Sequence, residues 1–158
     1  MIQPDFKEFS RLTRESTLIP VVKSVSADLL TPVSAFLAIA ENEPYAFLLE
    51  SVERGEQIGR YTFLGISPYM RVSSRAGTVE VRRSHQRSTQ AGNIFDVVKQ
   101  LLRAHRPATI PGLPPFTAGA VGYFAYDVVR RLENIGNRAK DDLLLPDAEL
   151  MFFDRLLA

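Results

Sequence analysis

Two apolar, aromatic-rich runs separated by a polar loop constrain the fold of this chain more than any other feature. Residues 45–49 (Tyr-Ala-Phe-Leu-Leu) and residues 61–66 (Tyr-Thr-Phe-Leu-Gly-Ile) have the length and composition of buried strands. Between them, residues 50–60 hold mostly polar side chains and two glycines. The pattern predicts a strand, a polar loop and a second strand, with the strand ends placed where a buried sheet meets solvent.

Polar side chains at these strand ends are compatible with a site for a small zwitterion. Glu50 and Ser51 directly follow the first run, and Arg60 directly precedes the second. A carboxylate and a hydroxyl can accept hydrogen bonds from an ammonium group, and a guanidinium can bind a carboxylate. Ordinary charged strand ends produce the same pattern. The spacing alone therefore leaves both interpretations open.

The same stretch resembles the anthranilate synthase component I family, in which a Leu-Leu-Glu-Ser motif is followed by Gly-Arg-Tyr-Ser. The motifs stand here at residues 48–51 and 59–62, with Thr62 in place of the usual serine. Residues 116–127 match the family's Phe-x-Gly-Gly-x-Val-Gly-Tyr-x-x-Tyr-Asp run, with Ala118 where the first glycine of the pair usually stands. Both departures are small, and the motifs are specific to the family.

Two helix starts of the same family occur in the same order, at residues 31–33 and 93–96, so the resemblance spans nearly the whole chain. It implies a complete enzyme that converts chorismate to anthranilate, uses magnesium and ammonia from a glutamine amidotransferase subunit, and is inhibited by tryptophan. The family's chorismate-binding and metal-binding segments lie in a later, larger half. The resemblance therefore implies an N-terminal regulatory region without its catalytic domain. By this resemblance the tryptophan site is lined by Leu49, Glu50, Ser51, Arg60 and Tyr61.

Apolar runs joined by short turns predict an α+β fold, with six to eight strands in mainly antiparallel sheets and two principal helices packed on them. Residues 18–25 are apolar and β-branched and predict the first strand. A hairpin is predicted around Ala76-Gly77, followed by a mobile polar connection over residues 84–92. Residues 149–158 predict a last strand that is apolar to its final residues, as if the sequence were cut inside a larger fold.

The two principal helices are predicted from spacing and start signals. A threonine and a proline open the first, which is expected to run over residues 32–40 with one apolar face formed by Val33, Phe36, Leu37 and Ala40. The second is expected over residues 94–106, because Pro107 cannot continue a helix. His105 would then lie in its last turn. Each helix is expected to bury one face.

Composition narrows the function classes. The chain has 158 residues, 46% of them hydrophobic, which suits a single domain with one core. A net charge of +1 gives no reason to expect a nucleic-acid partner. The absence of cysteine excludes disulfides and fits a reducing cytoplasm. No run approaches the roughly 18 apolar residues of a membrane helix.

The sequence predicts no catalysis by this chain alone. It contains two histidines, His85 and His105, and neither stands in a spacing typical of a Ser-His-Asp triad or of a metal site. Two alternatives to the regulatory part of anthranilate synthase stay open. One is the corresponding part of aminodeoxychorismate synthase component I. The intact Leu-Leu-Glu-Ser motif favours anthranilate synthase over this alternative. The other is a free-standing amino-acid-binding module.

Overall fold

A computed structural model describes residues 2–50, 61–136 and 141–158. Within these ranges the chain is α+β, and all the strand pairs whose register is resolved are antiparallel. The predicted fold class is therefore confirmed. In chain order the elements are β1 (Ile2–Gln3), α1 (Phe6–Leu12), β2 (Val22–Lys23), α2 (Pro32–Ala40), β3 (Ala46–Glu50), β4 (Thr62–Ile66), β5 (Met70–Arg75), β6 (Thr78–Arg83), β7 (Gln86–Ala91), α3 (Ile94–Arg103), β8 (Gly119–Phe124), a 3-10 helix (Tyr126–Arg131), β9 (Ala148–Phe153) and β10 (Leu156–Leu157).

The chain divides into two compact units. Unit 1 comprises the described residues within Met1–Ser67, Arg103–Gly119 and Phe153–Ala158. Unit 2 comprises those within Pro68–Leu102 and Ala120–Phe152. The expectation of a single domain over the whole chain stays a prediction.

Unit 1 is built on a three-stranded sheet in the order β10-β4-β3, with α2 against β3 and β4. The β3–β4 register places Ala46 opposite Ile66 and Glu50 opposite Thr62. Phe47 is buried opposite Gly65, and a Cβ atom at position 65 would overlap the Phe47 ring. Glycine at position 65 therefore leaves the space that the Phe47 ring occupies.

Unit 2 is built on a five-stranded sheet in the order β7-β6-β5-β9-β8. Ile94 and Val97 of α3 pack into one core with residues of the sheet, among them Val72, Val79 and Leu150. The predicted hairpin is confirmed. Ala76 and Gly77 connect β5 to β6 with φ angles of 49° and 82°, a pair of left-handed residues that suits a two-residue turn.

Two expectations about extended segments are wrong. Residues 84–92 do not form an irregular connection, because β7 pairs along its whole length with β6 after a turn in which Ser84 has a φ of 47°. Every residue of β7 is exposed, since it is an edge strand with polar side chains on both faces, and its sequence therefore lacks the alternation of a half-buried strand. The strand predicted over residues 149–158 is interrupted between β9 and β10.

Two further segments, residues 18–25 and the end of α3, also differ from the prediction. Of residues 18–25, which the sequence predicts as one strand, only Val22–Lys23 forms a strand. Leu18 makes an isolated parallel bridge with Pro107. Helix α3 ends at Arg103, so His105 is not in its last turn. The backbone carbonyl of Arg106 accepts hydrogen bonds from the amides of Thr17 (2.9 Å) and Leu18 (3.2 Å), and this pairing requires extended rather than helical backbone after α3.

Candidate functional site

The strand ends that the sequence singled out lie at the open end of the β3–β4 pair. Leu49 is 48% exposed, and Glu50, the last residue of β3, is exposed opposite Thr62. Tyr61 directly precedes β4 and is half-buried. Ser51 and Arg60 lie outside the described residues. Three of the five predicted site residues are thus brought to one end of one strand pair.

The register divides these residues between the two faces of the sheet. Leu49 pairs with Phe63, and because directly opposite residues of paired antiparallel strands project to the same side of the sheet, both lie on the same face. Tyr61 lies two residues before Phe63, and their ring centroids are 6.0 Å apart. Glu50 projects from the opposite face. A ligand that contacts both Leu49 and Glu50 must therefore lie across the end of the strand rather than on one face.

An aromatic cluster underlies the Leu49 face. The ring of Phe116 packs edge-on against Phe63, with centroids 5.6 Å apart, and against Phe47 at 6.5 Å. Phe153 continues the cluster at 4.8 Å from Phe47. Aromatic edges and faces of this kind form a suitable wall for a planar aromatic ligand. Sequence reasoning did not assign Phe63 to the site, although its position two residues after Tyr61 in a strand signals a shared face.

The glycine-rich run that carries much of the family resemblance forms β8 and the 3-10 helix after it. A Cβ atom at Gly122 would overlap the backbone carbonyl of Glu149, so close strand packing requires glycine at this position. Phe124 stacks on Phe95 of α3 at 5.3 Å. Burial, together with the nearby Glu149 carboxylate, raises the pKa of Tyr123.

Within residues 2–50, 61–136 and 141–158, no three His, Asp or Glu side chains converge as ligands for a metal ion. None of the helices in these ranges has both the length and the hydropathy needed to cross a membrane.

The class of protein follows from the fold and from this strand end: an α+β protein with antiparallel sheets and an aromatic-walled, partly acidic strand end. Among known proteins, no family model matches the chain. It is 43% identical over 134 residues to anthranilate synthase component 1 of Synechocystis sp., a match that covers 84% of this chain and 26% of that protein.

Two further relatives have the same name. Anthranilate synthase component 1 of Acetivibrio thermocellus is 37% identical over 158 residues, covering 99% of this chain and 32% of that protein. The Mycobacterium bovis protein is 38% identical over 149 residues, covering 92% of this chain and 29% of that protein. The chain is therefore a relative of anthranilate synthase component 1 and corresponds to a part of it, spanning about a third or less of the length of these proteins.

Proposed function

We propose that this chain is the N-terminal, feedback-regulatory part of an anthranilate synthase component I, an enzyme that converts chorismate to anthranilate in tryptophan biosynthesis. The observation that carries the proposal is 37–43% identity to proteins of that name over 84–99% of this chain. The complete enzyme, by the same proposal, works in the cytoplasm with magnesium and with a glutamine amidotransferase subunit that supplies ammonia. Its regulatory ligand is tryptophan.

The strand end of β3 supports tryptophan as the ligand through its mixture of apolar and acidic groups. Leu49 and Tyr61 share a face with Phe63 and offer walls for the indole ring. Glu50 is exposed at the strand end, where its carboxylate can accept hydrogen bonds from the ammonium group. Ser51 and Arg60, which follow and precede the same two strands in sequence, are proposed to add a hydroxyl contact and to bind the carboxylate.

Inhibition then follows from a shift in an equilibrium rather than from contact with the reacting atoms. From a site away from the reacting atoms, tryptophan inhibits by binding an inactive state of the enzyme more tightly than an active one. The residues of the strand end stabilise the bound amino acid in that state and take no part in the chemistry.

The test is anthranilate formation by the full-length polypeptide during a tryptophan titration. Glu50→Ala removes one charge-assisted hydrogen bond, worth about 1.5–3 kcal/mol, and should raise the inhibition constant about ten- to a hundredfold. Ser51→Phe should place a phenyl ring in the proposed tryptophan site and abolish inhibition. Activity without tryptophan should be largely unchanged in both variants.

A matched control is Glu133→Ala, which removes an exposed carboxylate in unit 2 and should leave the inhibition curve unchanged. If Glu50→Ala and Ser51→Phe both keep the wild-type curve, the assignment of the site is wrong. If both lose activity without tryptophan while remaining folded, the strand end is catalytic and the regulatory proposal fails.

A further inference from the structure

Helix α2 has an apolar surface on the side that faces away from its sheet. The helix runs over Pro32–Ala40, and at 100° per residue its exposed positions form one arc that contains Val33, Ser34, Leu37 and Ala38. The only polar side chain in this arc is Ser34, and its hydroxyl is already hydrogen-bonded to the N-cap, Thr31. No charged side chain stands anywhere in the helix.

The opposite arc of α2 shows that this surface is additional to the face packed on the sheet. Ala35, Phe36 and Ile39 lie on that opposite arc and are partly buried, in the unit where α2 packs on β3 and β4. Val33 and Leu37, which the sequence places on the apolar face of the helix, are 49% and 65% exposed. A helix that is apolar on all sides is normally covered on all sides, so the exposed arc is suited to a second contact.

The apolar surface continues along the chain into the turn before the helix. Leu29 is 98% exposed and Leu30 is 56% exposed, directly before the capping residue. Together with the arc of α2 they form the α2 surface, defined by Leu29, Leu30, Val33 and Leu37. Apolar side chains concentrated in this way, within nine consecutive residues, mark an interaction site more often than scattered single residues do.

The charged residues that neighbour the α2 surface in sequence all have one sign. Residues 24–45 contain three carboxylates, Asp28, Glu41 and Glu43, and no lysine or arginine. Asp28 and Glu41 are exposed on either side of the helix, before its first turn and at its C-cap. The α2 surface is therefore an apolar strip with an acidic residue at each end.

We propose that the α2 surface is a docking site for a separate protein partner that presents an apolar ridge flanked by lysine or arginine. The apolar ridge covers Leu29, Leu30, Val33 and Leu37, and the basic flanks meet Asp28 and Glu41. A second copy of the same surface fits poorly, because a symmetric pair would bring carboxylates at both ends against one another. The proposal is independent of tryptophan binding and of the strand end of β3.

The probe is a pair of synthetic amphipathic helical peptides that have the same leucine face, flanked by lysines in one peptide and by glutamates in the other. Binding to the full-length polypeptide is measured by fluorescence anisotropy. The lysine peptide should bind at least about tenfold more tightly than the glutamate peptide. Raising the salt concentration from about 0.05 M to about 0.5 M should reduce this preference, because the flanking charges are exposed.

Two matched variants locate the binding. Leu37→Gln should weaken the lysine peptide at least about tenfold. Leu132→Gln changes a leucine of unit 2 that is equally exposed, at 65%, and should have no effect. Circular dichroism of both variants checks that the helices are retained.

Three results would overturn the proposal. The two peptides could bind equally, which would remove the role of the acidic ends. Leu37→Gln and Leu132→Gln could weaken binding equally, which would show general adhesion to exposed leucines. Hydroxyl-radical footprinting could find Val33 and Leu37 already protected in the full-length polypeptide, which would show that a second copy or another part of the same polypeptide covers the α2 surface.

Discussion

Helices α2 and α3 are similar in length, and each packs on a sheet of its own unit, yet they distribute their side chains differently. In α3 the arc facing away from the core holds Asp96, Lys99, Gln100 and Arg103, while Ile94 and Val97 are buried. In α2 the corresponding arc holds Val33, Leu37 and Ala38, with one serine that is used in capping. Burial accounts for most apolar residues of α3, in which Leu102 is 46% exposed. It leaves the outer arc of α2 unexplained.

The difference shows that amphipathic patterning identifies the buried face of a helix only when solvent is the other environment. For α3 the polar arc predicts solvent, and the structure agrees. For α2 the sequence has no polar arc, so periodicity alone cannot choose which of its apolar faces meets the sheet.

The largest effect is predicted for truncating one apolar side chain in each helix, buried in α3 and exposed in α2. Ile94→Ala in α3 should lower the free energy of unfolding by about 2–5 kcal/mol, because Ile94 is 0% exposed and the substitution leaves a cavity. Leu37→Ala in α2 should change it by about 0.5 kcal/mol or less, because Leu37 is largely exposed. Urea denaturation of both variants measures the contrast. A large loss for Leu37→Ala would show that α2 is covered within the folded chain itself.

The second prediction compares the helix starts. Thr31→Ala removes the acceptor for the Ser34 amide, 3.1 Å away, and should cost about 1 kcal/mol. Asn93→Ala removes the acceptor for the Phe95 amide and also the 3.3 Å hydrogen bond that the Asn93 side chain donates to the Arg131 carbonyl. Its cost should be about 2 kcal/mol. Equal losses in thermal unfolding would mean that the bond to Arg131 contributes nothing.

The smallest effect concerns charge, which α2 lacks and the five-stranded sheet of unit 2 carries. Hydrogen bonds from Arg82, and then from Arg87, hold the pKa of Glu80 below its usual range. A lowered carboxyl pKa in the folded state stabilises the protein above the unfolded value of about 4.3, and this contribution is lost as the pH falls through the folded pKa.

Glu80→Gln should therefore reduce the difference in unfolding free energy between neutral pH and pH values below about 4. This change should be smaller than the loss of stability in Thr31→Ala or Asn93→Ala. Chemical denaturation across this range gives the measurement. The control is Glu133→Gln, which alters an exposed carboxylate in the same unit. A pH profile for Glu80→Gln that coincides with the wild type would show that the arginine contacts contribute nothing measurable.

Much of unit 1's strand end and of the hairpin in unit 2 could be predicted from local sequence. The runs around Phe47 and Phe63 are apolar and contain aromatic residues, and Ala76-Gly77 is suited to a tight turn, so short-range propensity and tertiary structure agree. Strand β7 was missed because both of its faces are exposed, and a polar sequence without alternation has no signal of burial. The end of α3 was placed too late because the competing partners, Thr17 and Leu18, are far away in sequence.

The candidate site was predicted as a set of residues, but not as a geometry. Sequence adjacency placed Leu49 beside Glu50, and the register then directs them to opposite faces of the sheet. The aromatic wall depends on Phe116, which lies more than fifty residues from Phe63 along the chain and meets it only through folding.

By itself, the sequence determined the fold class, the positions of the two principal helices and the strand end that carries the family's motif, because propensity, capping and turn chemistry act over a few residues. Tertiary structure alone decided which face of each element is buried, where α3 ends and which rings wall the strand end. The physical reason is that these outcomes depend on contacts between residues distant in sequence, and side-chain types constrain such contacts without specifying their partners.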